Sequence, residues 1–480
     1  MNRYKKLYIL VGVLVVACLV TFGVTRYESH KEKIQTSDEV VMELSTDSVT
    51  ALSWEYDGQA LSFHKEDDTW TYDDDDAFPV DQDKIQERLD LFASFGVAFI
   101  IEDPEDLGQY GLSDPTCTIN ISAEDQDYTI LLGDYSTMDS QRYVSIGDGN
   151  VYLVQNDPLD LFDAQLSDLI HNDEIPQLDT ITQLSVSGPD DYTAVYEEGN
   201  TTDTYREDDV YFTQRNGDKV PLDTDRVEDY LDTMSSLDLT NYVTYNATEE
   251  EIQNCGLDDP EATVQVDYTT EDDDGNEVSG SVTLYISRDP DERAAAQTEE
   301  ADTQSADTSD ADEEEEEEEI TAYVRVGSSQ ILYQITGEEY EALMACGYDD
   351  LRHPEVLPAD FADISQIDIS LEGKDYTITS EGDSDERTYS YQEEELDIAD
   401  LQSALEALTA DSFTSEEPTQ KEEISLTLHL DLEDEPTVTI DLYRYDGSNC
   451  LAVVDGDPVS LVARSSVVDL VEAVNAIVLN

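Results

Sequence analysis

Positive charge is scarce in this chain: 480 residues hold 23 Lys and Arg against 116 Asp and Glu, a formal charge of −93. Proteins hold nucleic acid by setting Lys and Arg against phosphates, and a surface of the opposite sign repels polyanions, so nucleic-acid binding is excluded. Cysteine is almost as sparse. Of the five, Cys18 lies in an apolar run, and Cys117, Cys255, Cys346 and Cys450 include no CxxC pair. That argues against a disulfide framework or a zinc site, and the four are expected as small buried or half-buried residues. The five histidines, at 30, 64, 171, 353 and 429, are scattered, with no second His at metal-ligand spacing. HExxH, the GxSxG elbow, a P-loop and a complete GxGxxG are all missing, which argues against a His-dependent hydrolase. The expectation is no catalytic residue, no cofactor and no metal centre.

What the chain does have is acid on a foldable background. An apolar fraction of 39% and 28 tyrosines supply cores that a disordered polyanion would lack. Asp73-Asp74-Asp75-Asp76 and a run of seven glutamates could condense divalent cations weakly, but neither has the spacing and glycine of a calcium loop. Carboxylates are abundant enough that a paired-acid hydrolase acting on glycan or peptide stays open as an alternative, as does a cation-responsive surface spacer. Most of the tyrosines are expected in cross-strand packing rather than in an aromatic binding strip.

Leu7 to Val24 is an uninterrupted apolar run of 18 residues behind Arg3, Lys5 and Lys6. Its length is near the minimum for crossing a bilayer core of ~30 Å as a helix. No clear small-x-small cleavage site follows, which favours a retained anchor over a signal peptide. Residues 1–25 are therefore expected to be a cytoplasmic head and transmembrane helix, 26–46 a polar stem, and the bulk of the chain extracytoplasmic on a single-pass cell-membrane anchor. The alternative is a lipoprotein anchored at Cys18, since Val15-Val16-Ala17-Cys18 has the form of a lipobox.

The rest is one α+β module written three times, at 47–172, 178–346 and 360–480. The copies open at Ser48-Val49-Thr50-Ala51-Leu52-Ser53-Trp54, at Thr180-Ile181-Thr182-Gln183-Leu184-Ser185-Val186 and at Asp363-Ile364-Ser365-Gln366-Ile367-Asp368-Ile369. Internal repetition takes precedence over any single-element reading. In each copy apolar alternation predicts a strand, and Asp57-Gly58, Ser187-Gly188-Pro189-Asp190 or Glu372-Gly373-Lys374 turns the chain back. Trp70-Thr71-Tyr72, Tyr211-Phe212-Thr213 or Tyr389-Ser390-Tyr391 makes a third strand. A helix follows, capped by Asp81, Asp223 or Asp397. Its buried stripe is Ile85, Leu89 and Phe92, then Val227, Leu231 and Met234, then Leu401, Leu405 and Leu408. Tyr110-Gly111-Leu112 and Cys255-Gly256-Leu257 are turns into a mainly antiparallel meander that a short helix closes. An acidic segment at 289–319 interrupts the second meander and reads as a disordered insertion. Junctions fall at 172–179 and 347–360.

Four features together carry a resemblance: the basic-then-apolar amino terminus; the Trp70 strand followed by Phe78-Pro79-Val80-Asp81 and its helix; the Tyr110-Gly111-Leu112-x-x-Pro115 turn; and the Leu132-Gly133 to Tyr143-Val144 hairpin leading to Val151-Tyr152-Leu153. The module resembles the bacterial domain-of-unknown-function family numbered 4340, best over residues 47 to 172, less over 178 to 346 and least in the third copy. The resemblance implies a membrane-anchored extracytoplasmic component, accessory to an ABC-type transport or gliding-like system, with no catalytic residues to carry over. The functional expectation is thus a non-enzymatic scaffold or binding protein. Its partners would be the membrane, through residues 7–24, and a membrane protein complex.

Overall fold

The structure, a computed structural model, describes residues 39–479 apart from 103, 125, 155, 179, 272–274, 304–319 and 383–386. The expected anchor at 7–24, with Cys18, and most of the expected stem lie outside the described residues. Among the described residues no helix is long and apolar enough to cross a membrane. The chain divides into two compact units, Met1–Asn172 and Asp173–Asn480. Module 1 makes the first unit, and modules 2 and 3 share the second.

Module 1 runs β1 (Glu39–Met42), β2 (Val49–Tyr56), β3 (Gln59–Glu66), β4 (Thr69–Tyr72), α1 (Gln82–Ala93), β5 (Phe95–Ile101), β6 (Cys117–Ala123), β7 (Asp127–Ser136), β8 (Gln141–Ser145), β9 (Val151–Val154) and α2 (Leu159–Phe162). The strands form one antiparallel sheet in the order β1-β5-β9-β8-β7-β6-β2-β3-β4. The opening strand β2 thus pairs with its hairpin partner on one side and with the first meander strand on the other.

Module 2 supplies β10 (Ile181–Ser187), β11 (Tyr192–Tyr196), β12 (Tyr211–Arg215), β13 (Asp218–Pro221), α3 (Thr224–Ser235), β14 (Tyr242–Thr244), α4 (Glu249–Asn254), β15 (Ala262–Glu271), β16 (Glu277–Arg288), α5 (Pro290–Thr303), β17 (Ala322–Val326), β18 (Leu332–Ile335) and α6 (Gly337–Met344), and α7 (Tyr348–Leu351) follows in the junction. Module 3 supplies β19 (Ile364–Leu371), β20 (Lys374–Glu381), β21 (Thr388–Tyr391), β22 (Glu394–Leu396), α8 (Ala399–Glu406), β23 (Ala410–Phe413), β24 (Glu422–Leu430), β25 (Thr437–Arg444), β26 (Asn449–Val454), β27 (Asp457–Ala463) and α9 (Arg464–Val478). Read from the strand that follows the helix, the orders are β14-β18-β17-β16-β15-β10-β11-β12 and β23-β27-β26-β25-β24-β19-β20-β21, and module 1 repeats the pattern from β5 to β4. Eight strands in one order are therefore common to all three modules. Each module adds a ninth, β1 at one edge of the first sheet, β13 and β22 at the opposite edge of the others.

Local chemistry explains why the elements fall where they do. Two-residue hairpin loops that match strand twist need positive φ at both positions. Asp57 and Gly58 sit at +47° and +77°, and Glu372 and Gly373 at +52° and +75°. The helical stripe is buried throughout, with Ile85, Leu89, Phe92, Val227, Met234 and Leu408 at 0% exposure. Asp81 accepts from the amides of Asp83 and Lys84, and Asp223 from that of Arg226. The third cap falls one residue out of register. Asp397 accepts from the Ala399 amide, and α8 begins after Ile398.

Two expectations are corrected. Residues 39–42 of the predicted polar stem are a strand on the module 1 sheet, because Val40-Val41-Met42 pairs along β5 and buries Met42. The first half of the acidic insertion is the helix α5, which Ala294-Ala295-Ala296 and Asp291 and Glu292 in its first turn favour. The junction at 347–360 is itself folded. It contains α7, its Leu351, Val356, Leu357 and Ala359 are buried, and it bridges to both modules through Tyr205 with Ala359 and Glu355 with Thr409.

The Gly turns predicted to repeat do so in detail. Gly111 and Gly256 both hold φ near +70°. A methyl on Gly111 would lie 2.6 Å from the Asp134 carboxyl and 2.7 Å from its backbone nitrogen, and one on Gly256 would lie 2.6 Å from Ser287 Oγ. Gly111→Ala is therefore expected to cost about 1–3 kcal/mol, since left-handed strain and a backbone clash add. Tryptophan fluorescence in a urea titration reads it, and an unmoved midpoint would show that the turn relaxes freely.

Candidate functional site

The histidines separate into pairs and one cluster. His64 Nδ1 meets Asp73 at 2.6 Å and His429 Nε2 meets Asp368 at 2.8 Å, both at partly exposed positions on sheet faces. Asp74 and Asp75 of the acidic tetrad accept from Tyr72 Oη and the Ala77 amide, so these two carboxylates serve the local turn. Cys117, Cys255, Cys346 and Cys450 are free and buried, as expected. Burial pushes the thiols of Cys255 and Cys346 up to about 11 and that of Cys117 up to about 12. Thiols so far from the thiolate form are poor nucleophiles.

His353 is different. It lies where the 347–360 segment leaves α7, packed against the loop before β12 and the start of α3. Its Nε2 is 2.7 Å from Asp209 Oδ1, a carboxylate only 1% exposed that also accepts from the Thr204 hydroxyl. Its Nδ1 faces two further carboxylates, Glu355 Oε2 at 3.6 Å and Asp223 Oδ2 at 3.7 Å. Both separations are too long for a hydrogen bond. His353 Nδ1 and Glu355 Oε2 are buried without a hydrogen-bond partner. Burial disfavours the imidazolium, but Asp209 and Glu355 outweigh it and raise the pKa to about 9. The ring in turn holds Glu355 down at about 2.

Secondary structure delivers each member. Asp223 is fixed as the cap of α3, so one oxygen is committed to the Arg226 amide and the other faces the ring. Asp209 precedes β12, and Glu355 is held by its bridge to Thr409 beside β23. Arg206 Nη2 lies 3.7 Å from Glu355 Oε2 and donates to the Leu357 carbonyl at 2.9 Å. Arg352 continues the joint, its guanidinium 5.1 Å from the Tyr348 ring and 4.2 Å from the Phe413 ring. Module 2 supplies two acids of the cluster, and the segment leading into module 3 supplies the imidazole and the third.

A cleft in module 3 of about 640 Å³ contrasts with this cluster. It is lined by Tyr391, Glu394, Asp397, Leu401, Ala473 and Ile477 among others, and its acids are exposed with no imidazole or thiol beside them.

The comparison with protein families meets this geometry directly. Residues 70–243 match the model of a family described as Domain of unknown function (DUF4340). This stretch of the chain belongs to DUF4340. No curated protein and no solved structure matches the chain. The DUF4340 match starts in β4 of module 1 and ends in β14 of module 2, so it straddles the two units where the expected resemblance centred on 47–172. It takes in Asp209 and Asp223 and stops short of His353 and Glu355.

Proposed function

We propose that the chain is a non-enzymatic, membrane-anchored extracytoplasmic scaffold or binding protein, accessory to an ABC-type transport system. The reading is supported by the repetition of one eight-stranded sheet order in three modules, with the ionisable cluster placed at a joint between modules rather than in a cleft. Burial alternates along strands such as β24, where Ile424, Leu426, Leu428 and Leu430 point to the core and Ser425, Thr427 and His429 do not. An antiparallel sheet of this kind keeps one polar face available. The Asp368, His429, Thr377 and Gln366 side chains bond to one another across that face.

Affinity purification of the tethered chain from membranes tests the proposal. Permease and ATPase subunits are expected to co-purify in constant ratio. Recovery of the chain from the soluble fraction, or from membranes without transport subunits, would overturn it.

A further inference from the structure

We propose that the His353 cluster is a binding site for a divalent transition metal of the zinc class, with His353 Nδ1, Asp223 Oδ2 and Glu355 Oε2 as its ligands. The three atoms lie within 4.8 Å of one another. A zinc ion roughly 2.1 Å from each ligand sets neighbouring ligand atoms about 3.5 Å apart, close to the 3.6 and 3.7 Å from Nδ1 to the two oxygens. These distances are wrong for hydrogen bonds and right for atoms that share an ion.

Three further observations support the assignment. Two of the ligand atoms, His353 Nδ1 and Glu355 Oε2, are buried without a hydrogen-bond partner, which is costly unless something else satisfies them. Next, the far ring nitrogen is held by a carboxylate. With Nε2–H donated to the buried Asp209, an incoming ion that displaces the Nδ1 proton takes up the lone pair left there, and this carboxylate–histidine arrangement orients metal ligands and raises their basicity. Finally, Asp223 is capped and aimed: its Oδ1 is spent on α3, which leaves Oδ2 for the ion. Arg206 and Arg226 stand 3.7 and 3.6 Å behind the ligand oxygens. Both guanidiniums donate instead to the carbonyls of Leu357 and Asp350. They offset negative charge without occupying the oxygens.

The donor set favours a transition metal over calcium. One imidazole with two carboxylates suits zinc, whereas calcium takes six to eight oxygens. A fourth position falls to water. Because the ligands come from module 2 and from the segment entering module 3, the ion would pin that joint.

The test is Zn²⁺ titration of the full chain by calorimetry in a large excess of Mg²⁺, which occupies the diffuse surface carboxylates. One saturable equivalent is expected. Asp209→Asn is expected to weaken it about 10–100-fold, and His353→Gln and Asp223→Asn by more, while His429→Gln leaves it unchanged. Asn preserves the cap on α3, so Asp223→Asn separates lost ligation from lost folding, and circular dichroism checks each variant. The proposal is overturned if the unsubstituted chain shows no saturable equivalent above Mg²⁺, or if His353→Gln binds as tightly as the unsubstituted chain.

Discussion

Asp209→Ala is expected to destabilise the 173–480 unit by about 3–5 kcal/mol, the range for removing one partner of a buried charged pair. The Asp209 side chain is 1% exposed and accepts from both the His353 ring and the Thr204 hydroxyl. Truncation strands both donors. Asp209→Asn keeps an acceptor at the same place and is expected to cost about 1.5–3 kcal/mol, the worth of a hydrogen bond to a charged group. Urea unfolding followed by far-ultraviolet circular dichroism measures both, the midpoint moving while the slope is kept. A loss below about 1 kcal/mol for the Ala variant would mean that apolar contacts alone hold the joint.

That prediction concerns the part of the molecule the sequence showed least. Spacing rules work within one element, and Asp209 and His353 are 144 positions apart. The only local trace is His353-Pro354-Glu355, which by itself is an ordinary turn. The expectation of no metal centre followed from looking for neighbouring histidines, whereas the fold sets one histidine among acids from three segments. The helical stripes were legible because burying one face of a helix imposes a period that three copies repeat. The hairpins were legible because positive φ at both loop positions restricts residue choice. Edge strands were not. β13, β14, β22 and β23 are four residues or fewer, too short for an alternation to register, and they exist because a longer neighbour offers hydrogen bonds. β5 is the instructive miss, since Phe95-Gly96-Val97-Ala98-Phe99-Ile100-Ile101 is strongly apolar. Only Ser94 separates it from α1, with no turn signal to mark where the helix ends and the strand begins.

The closing helix carries the other large effect, and Phe162→Ala is expected to cost module 1 about 3–5 kcal/mol. Phe162 is 0% exposed and comes from α2, an element of only four residues. Its ring stands edge-on to Trp54 at 5.3 Å and lies 6.0 Å from Phe92. Trp54 stacks on Phe63 at 5.6 Å, and Phe92 meets Phe95 at 5.2 Å, so one side chain ties together β2, β3, α1 and β5. Those partners are fixed by the sheet and by the cap of α1, so they cannot collapse into the space and the cavity persists. Phe162→Leu keeps most of the volume and is expected to cost less than about 1.5 kcal/mol. The chain's two tryptophans, Trp54 and Trp70, both lie buried in module 1. Fluorescence therefore reports this module without interference from the others. Equal losses for the Ala and Leu variants would show that α2 merely covers the core. A large difference would show that the short closing segment is a structural member of the repeat, in the role that Tyr340 and Leu343 of α6 and Val467, Leu470 and Val474 of α9 fill with other side chains.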